Sequence, residues 1–143
     1  MKERIEIREG SWAELGEVAG EIRRIVFIEE QQVPREEEWD GRDDACRHFL
    51  ALHDDSPLGT ARLLPDGHIG RVAVLREARG LGIGAALMRA AIASARRLGH
   101  AQVELAAQTH ALAFYENLGF TAYGEVFLDA SIPHRNMRLS LID

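Results

Sequence analysis

Ile69-Gly70-Arg71-Val72-Ala73-Val74-Leu75, then Arg76-Glu77-Ala78, then Arg79-Gly80-Leu81-Gly82-Ile83-Gly84: this run decides how the chain is read. Its first seven residues read as a strand. From about Gly82 to Leu98, the residues Ile83, Leu87, Ala91, Ser94 and Leu98 recur at helical spacing, and Gly99 stops the pattern in the usual C-terminal glycine position. The first N–H groups of any helix lack intrahelical acceptors, and the aligned peptide dipoles add partial positive charge there. Glycines at 80, 82 and 84 carry no Cβ to hold an anion away from those groups, and Arg79 adds a charge that can pair with a phosphate oxygen. The stretch suits a pyrophosphate. The plainer reading is that three glycines only permit a tight turn and close helix–sheet packing.

On the N-terminal side, Arg4 to Arg8 alternate as a short strand, and Ser11 with Glu14 forms a capping-box pattern. Trp12, Leu15, Val18, Ala19, Ile22, Ile25 and Val26 then fall on one helical face. Pro34 and the run Glu36-Glu37-Glu38-Trp39-Asp40-Gly41 break that pattern, giving a long connecting loop or a second, short helix. The run is read as a solvated loop, with the lining of a polyamine or aminosugar site as the other reading. Strands follow at His48 to His53 and Leu58 to Leu64, and the Pro65-Asp66-Gly67 turn leads into the strand from Ile69. On the C-terminal side, Val103 to Ala107 reads as a strand and His110 to Leu118 as a helix. Strands near Ala122 to Leu128 and Met137 to Leu141 complete the chain. A hairpin system followed by one βαβ crossover predicts an α/β (α+β) chain with a mixed sheet and helices packed on it.

Bulk properties narrow the classes. With 143 residues, no repeat and no linker, residues 1–143 are read as one domain. A net charge of −6 gives no electrostatic footprint for nucleic acid, no apolar run approaches a membrane span, and the charged amino terminus is unlike a signal, so the expected address is the cytoplasm. The single cysteine, Cys46, excludes an intrachain disulfide and gives no metal-site spacing. A rival for the glycine turn is a dinucleotide fingerprint, since Gly80 to Ala85 satisfies G-x-G-x-x-A and Glu104 lies roughly twenty residues beyond. Two features oppose it: Arg76 to Arg79 separate the glycines from the strand, and only one βαβ crossover is readable.

Two segments together carry a family resemblance. Val72 to Gly84 resembles the central strand and R-x-x-G-x-G pyrophosphate loop of the GNAT superfamily of acyl-CoA-dependent N-acetyltransferases. Gln108-Thr109-His110-Ala111-Leu112-Ala113-Phe114-Tyr115-Glu116-Asn117-Leu118-Gly119-Phe120 resembles its A-x-x-F-Y-x-x-x-G-F signature. Val26 to Pro34 and Glu125 to His134 are similar to the ElaA-like branch. The resemblance implies a GNAT-like mixed, mostly antiparallel sheet with helices on both faces and one central βαβ crossover. It further implies acetyl-CoA as co-substrate, an amine acceptor, no metal and a homodimer.

The resemblance also assigns residues. Val72, Ala73 and Val74 pair their backbone with pantetheine, an N–H near Val74 faces the thioester oxygen, and Arg79, Gly80, Leu81, Gly82, Ile83 and Gly84 hold the pyrophosphate. Gln108 stands where many relatives carry asparagine and faces the pantetheine arm, with Phe114 against the cofactor. Tyr115 is the expected general acid, since a phenol of pKa about 10 is protonated at neutral pH. For the base, the residues leave Glu29, Glu30, His48, Glu104 and His134 open, with Glu29 and His134 foremost. The function that follows is direct acetyl transfer to a primary amine of a small molecule or peptide; the alternative is a non-catalytic acyl-CoA-binding or sensing module.

Overall fold

Short apolar runs bounded by turn residues build two antiparallel ladders. The computed structural model describes residues 5–142. Strands β1 (Glu6–Gly10), β2 (Arg47–His53), β3 (Ser56–Leu63) and β4 (Ile69–Val74) lie side by side in that order. Strands β5 (Gln102–Gln108), β6 (Thr121–Asp129) and β7 (Ile132–Ser140) form a second sheet in the order β5-β7-β6. Helices α1 (Trp12–Arg23) and α3 (Ile83–Arg97) cover opposite faces of the first sheet. The one-turn helices α2 (Arg35–Glu38) and α4 (Leu112–Glu116) sit in the connections. The two-residue period of β2 separates the faces. Phe49 and Ala51 join Ile83, Leu87 and Met88 of α3 in the larger core, while Leu50 and Leu52 join Ile22 and Val26 at α1. The expected sheet with helices on both faces is borne out. No described helix is long and apolar enough to cross a membrane.

The β4-α3-β5 crossover makes the two sheets neighbours without merging them. Among the described residues, β4 and β5 share one parallel bridge, His68 to Glu104, where the Glu104 N–H donates to the Gly67 carbonyl at 3.2 Å. A bulge turns β4 away beyond it. Thr60 of β3 pairs with Ala73 and Arg62 with Gly70, so three steps along β4 match two along β3. Arg71 occupies the extra position with φ +51°, a left-handed conformation that costs a non-glycine residue on the order of 1–3 kcal/mol. The result is a cleft between β4 and β5.

Several boundaries differ from the sequence expectation. The first strand runs from Glu6 to Gly10; Arg4, its expected start, lies outside the described residues. Ser11 and Glu14 do form the reciprocal capping box, but Val18 points outward. After Arg23 the helix widens to π geometry over Arg24–Glu30, closing with the Gln31 N–H on the Val26 carbonyl at 3.1 Å. The helix expected from His110 to Leu118 is a 3-10 turn, Thr109–Ala111, followed by α4. The last two strands are longer than expected because Ala130 and Ser131, at φ +52° and +64°, make a tight hairpin without glycine, so the sequence carries no turn signal there. His134, expected in a loop, therefore lies inside β7.

The acidic run is the largest correction. Glu38 is 1% exposed, and its carboxylate accepts from Arg23 Nε at 3.0 Å and Nη2 at 2.9 Å. Arg23 Nη1 also donates to Asp43 at 2.6 Å, and its guanidinium lies against the rings of Trp12 and Trp39. Asp43 accepts from Arg62 Nη1 at 2.9 Å, and Asp40 accepts from the same atom at 3.0 Å. Arg71 Nη2 donates to the carbonyls of Glu37 and Glu38, each at 3.1 Å. Three guanidinium groups from α1, β3 and β4 thus fold the acidic segment down onto the sheet, because a charge this buried is stable only with partners.

Glu38→Ala takes from the buried Arg23 guanidinium one of its two carboxylates, leaving Asp43 alone. We expect a loss of about 3–5 kcal/mol in unfolding free energy, read as a lower urea midpoint at unchanged slope. Glu36→Ala, at an exposed position of the same turn, should stay within about 0.5 kcal/mol of the parent.

Candidate active site

The glycine turn has the geometry of an anion cradle. Gly82 precedes α3 at φ +81° and Gly80 lies at φ +83°, a region where a side chain is strained. A Cβ at either residue would meet no protein atom within 4 Å, so it would project into open space in front of the helix. The first α3 bond runs from the Ala86 N–H to the Gly82 carbonyl at 3.1 Å, which leaves the N–H groups of Ile83, Gly84 and Ala85 without intrahelical acceptors. The Ile83 side chain is in the core, 1% exposed, so only its backbone can serve here; Leu81 projects outward. Phe114 covers the helix start, its ring edge 3.3 Å from where a Gly84 Cβ would stand. These groups fit a diphosphate.

Arg79 stands differently from the expectation of a free cation. Its Nη1 and Nη2 donate to the two carboxylate oxygens of Glu30 at 2.6 and 2.8 Å, and its Nε donates to the Val74 carbonyl at 3.0 Å. That last bond locates the open edge of β4. The Leu75 N–H bonds to Leu58 of the β3 side, so by strand alternation the N–H and C=O of Val74 face away from β3, as does the C=O of Val72. Ala73 presents its own pair to β3, and its side chain is buried under α1.

The cleft behind this edge holds about 530 Å³. Its walls bring together Tyr115, His134 and Gln108, which lie far apart in sequence, with Val72 of β4 and Asp129 of the β6–β7 hairpin. Tyr115 packs edge-on against Phe114 and Phe120, with ring centroids at 4.9 and 6.1 Å. No described residue bonds its hydroxyl, and burial among apolar neighbours pushes the phenol up to about 12. His134 stacks on Phe127 and pairs with Gln108 across the sheet. Its Nδ1 lies 2.7 Å from the Ile132 carbonyl, which can only accept; in the neutral ring the proton is therefore on Nδ1 and Nε2 keeps its lone pair. The Gln108 amide is engaged, donating to Gln31 at 2.9 Å and meeting His110 Nε2 at 2.7 Å.

The other expected bases stand elsewhere. Glu29 is exposed, paired with Arg24, and faces a separate surface hollow with Ile25, Glu30, Arg76 and Glu77. Glu30 holds Arg79. His48 is buried beside Trp12 with Nε2 at 2.9 Å from the Asp43 carbonyl, and burial lowers its affinity for a proton. Glu104 accepts from the Tyr123 hydroxyl at 2.6 Å. Sequence reasoning passed over Arg62, Arg71 and His68, all of which line the cleft. One signal was available: Arg62 is in phase with Thr60 on the face of β3 that α1 covers, an odd place for a charge without a partner.

Comparison with known proteins agrees with this geometry. A family model described as an acetyltransferase (GNAT) domain matches residues 21–141. The chain belongs to the GNAT acetyltransferase family. As a GNAT protein it is an acyl-CoA-dependent N-acetyltransferase. The chain is similar to an uncharacterized N-acetyltransferase, YjcF, of Bacillus subtilis (strain 168), with 37% identity over 120 residues, 81% of this chain and 86% of that protein. Among solved structures, an acyl-CoA N-acyltransferase from Pseudomonas aeruginosa superimposes with a TM-score of 0.83 at 36% identity, covering 96% of this chain and all (100%) of that one. ElaA of Escherichia coli does so at 0.84 and 30% identity, with coverage of 96% and 100%. In this GNAT chain the cradle and the cleft lie along the same open strand edge.

The displaced phenol gives a direct check. The chain has two tyrosines, Tyr115 and Tyr123. In an alkaline absorbance titration, Tyr115→Phe should remove a tyrosinate step centred at about pH 12 and leave the step of Tyr123.

Proposed function

We propose that this GNAT enzyme moves the acetyl group of acetyl-CoA directly to a primary amine on a small molecule or peptide, with Tyr115 as general acid and His134 as general base. The observation that carries this reading is the meeting of Tyr115 and His134 in one cleft, beside the unpaired edge of β4.

The roles follow from each residue's surroundings. The N–H groups of Ile83, Gly84 and Ala85 bind the diphosphate, with Gly80 and Gly82 leaving room for it. The outward N–H of Val74 is placed to donate to the thioester oxygen as negative charge develops there. His134 Nε2 takes the proton from the entering ammonium, directly or through one water, so that the amine nitrogen attacks the carbonyl carbon. The carbon–sulfur bond then breaks, Tyr115 gives its proton to the sulfur, and the second proton shed by the new amide nitrogen restores the phenol, directly or through water. A phenol held near 12 stays a donor across the physiological range and yields its proton only to an anion forming beside it. Glu29 has no part in this sequence, since it faces another hollow.

Two measurements test the reading. In a thiol-release assay across an amine library, Tyr115→Phe should lower kcat by roughly 10²–10⁴-fold on the best acceptor, and His134→Gln should do likewise. Equal rates for parent and Tyr115→Phe would exclude the phenol's role. Tight acetyl-CoA binding with no turnover on any amine would instead favour a sensing module.

Gly82→Val places a branched side chain in the cradle. It should weaken coenzyme A binding by at least about 100-fold in calorimetry, because several charge-assisted bonds are lost together, while circular dichroism shows the fold retained.

A further inference from the structure

The Glu30–Arg79 pair does more than decorate the rim of the cradle. Arg79 belongs to the glycine loop, Glu30 ends the π-helical stretch after α1, and Val74 ends β4, so one guanidinium joins three elements that meet ahead of α3. Both Nη groups are committed to one carboxylate in a fork, and the third edge is committed to the carbonyl at the open end of β4. The pairing stabilises the charged form of each partner: Glu30 is held below the usual carboxylate range by its bonds to Arg79, and Arg79 is correspondingly raised.

These contacts occupy the groups that an acyl-CoA would address. A diphosphate offers a guanidinium fork the same anionic oxygens that Glu30 offers. A pantetheine amide laid along β4 offers the Val74 carbonyl the same kind of N–H that Arg79 Nε offers. A replacement partner for Glu30 is also at hand, because Arg76 Nη2 lies 3.9 Å from its carboxylate. Releasing Arg79 therefore leaves no isolated charge.

We infer that Glu30 is a positioning residue that holds Arg79 across the open edge of β4, and that cofactor entry proceeds by partner exchange. The diphosphate takes Arg79 from Glu30, the pantetheine amide takes the Val74 carbonyl from Arg79, and Glu30 turns to Arg76. This rests on the acyl-CoA reading above and adds to it a competitor within the chain. Glu30 thereby sets how tightly the cofactor binds without touching the acceptor or the reacting atoms.

The exchange is tested by titrating coenzyme A into the full chain by calorimetry. Glu30→Gln keeps the shape of the side chain and removes the charge that holds Arg79, so the Kd for coenzyme A should fall roughly two- to fivefold, the factor expected when a partly exposed ion pair no longer has to be broken. Glu77→Gln removes an equal charge from the same rim without a bond to Arg79, and should change Kd by clearly less. In an Arg79→Ala background, the effect of Glu30→Gln should shrink to that of Glu77→Gln, because the coupling runs through the guanidinium. A Kd for Glu30→Gln equal to or weaker than that of the parent would overturn the exchange, as would a gain that persists without Arg79. If the parent bound coenzyme A and only these differences failed, the exchange alone would fall. No binding by the parent at all would remove both the exchange and the acyl-CoA reading beneath it.

Discussion

The unpaired edge of β4 is the feature on which the rest of this molecule depends. A strand inside a domain ordinarily satisfies its N–H and C=O groups on both sides, and leaving one side unmet between two sheets is costly. Here β4 bonds to β3 and then, past the His68–Glu104 bridge, parts from β5. The bulge at Arg71 supplies the turn, and the α3 crossover holds β5 within reach while the cores under α1 and α3 hold β4 in place. An extended ligand can then add to the edge as a further strand, with its anionic end at the start of α3.

The side of the cleft lined by Glu38, Asp40, Arg62 and Arg71 is shaped by a different force. Arg23, Arg62 and Arg71 face Glu38, Asp40 and Asp43 across the space between sheet and α2, in equal numbers, so the buried charge cancels. Such clusters are weak sources of net stability, since desolvation offsets most of the attraction, but they are selective about geometry. A guanidinium fork accepts its carboxylate in few orientations, which fixes where the loop after α2 can lie. The bulge that opens β4 and the cluster that seats this loop share one residue, Arg71. The open edge of β4 and the loop after α2 are therefore mechanically joined.

The protonated state of Tyr115 and the tautomer of His134 are set by simple local means. Tyr115 needs no charged neighbour to remain protonated, because two aromatic rings against it and the loss of water suffice. His134 needs no carboxylate to present a lone pair, because one backbone carbonyl fixes which nitrogen carries hydrogen. By contrast His48, a histidine of equal appearance in the sequence, is turned into a packing residue by Trp12 and the Asp43 carbonyl. Residue type does not separate these two histidines; their surroundings do.

What the sequence determined by itself is whatever depends on neighbours along the chain. Glycines at 80, 82 and 84 ahead of a periodic apolar run specify a helix start with free N–H groups, and short apolar runs between turn residues specify β2 to β5, because dihedral preference and side-chain pattern act over a few residues. The tertiary structure alone decided that Glu38 is buried, that Arg79 is held by Glu30 from 49 positions away, and that His134 rather than Glu29 shares a cleft with Tyr115. Those outcomes turn on strand register, on a bulge at a non-glycine residue and on a hairpin turn without glycine, none of which has a local signature. Partners for buried charges are chosen in space, and a one-dimensional reading sees each charge alone, where the ordinary inference is that it faces water.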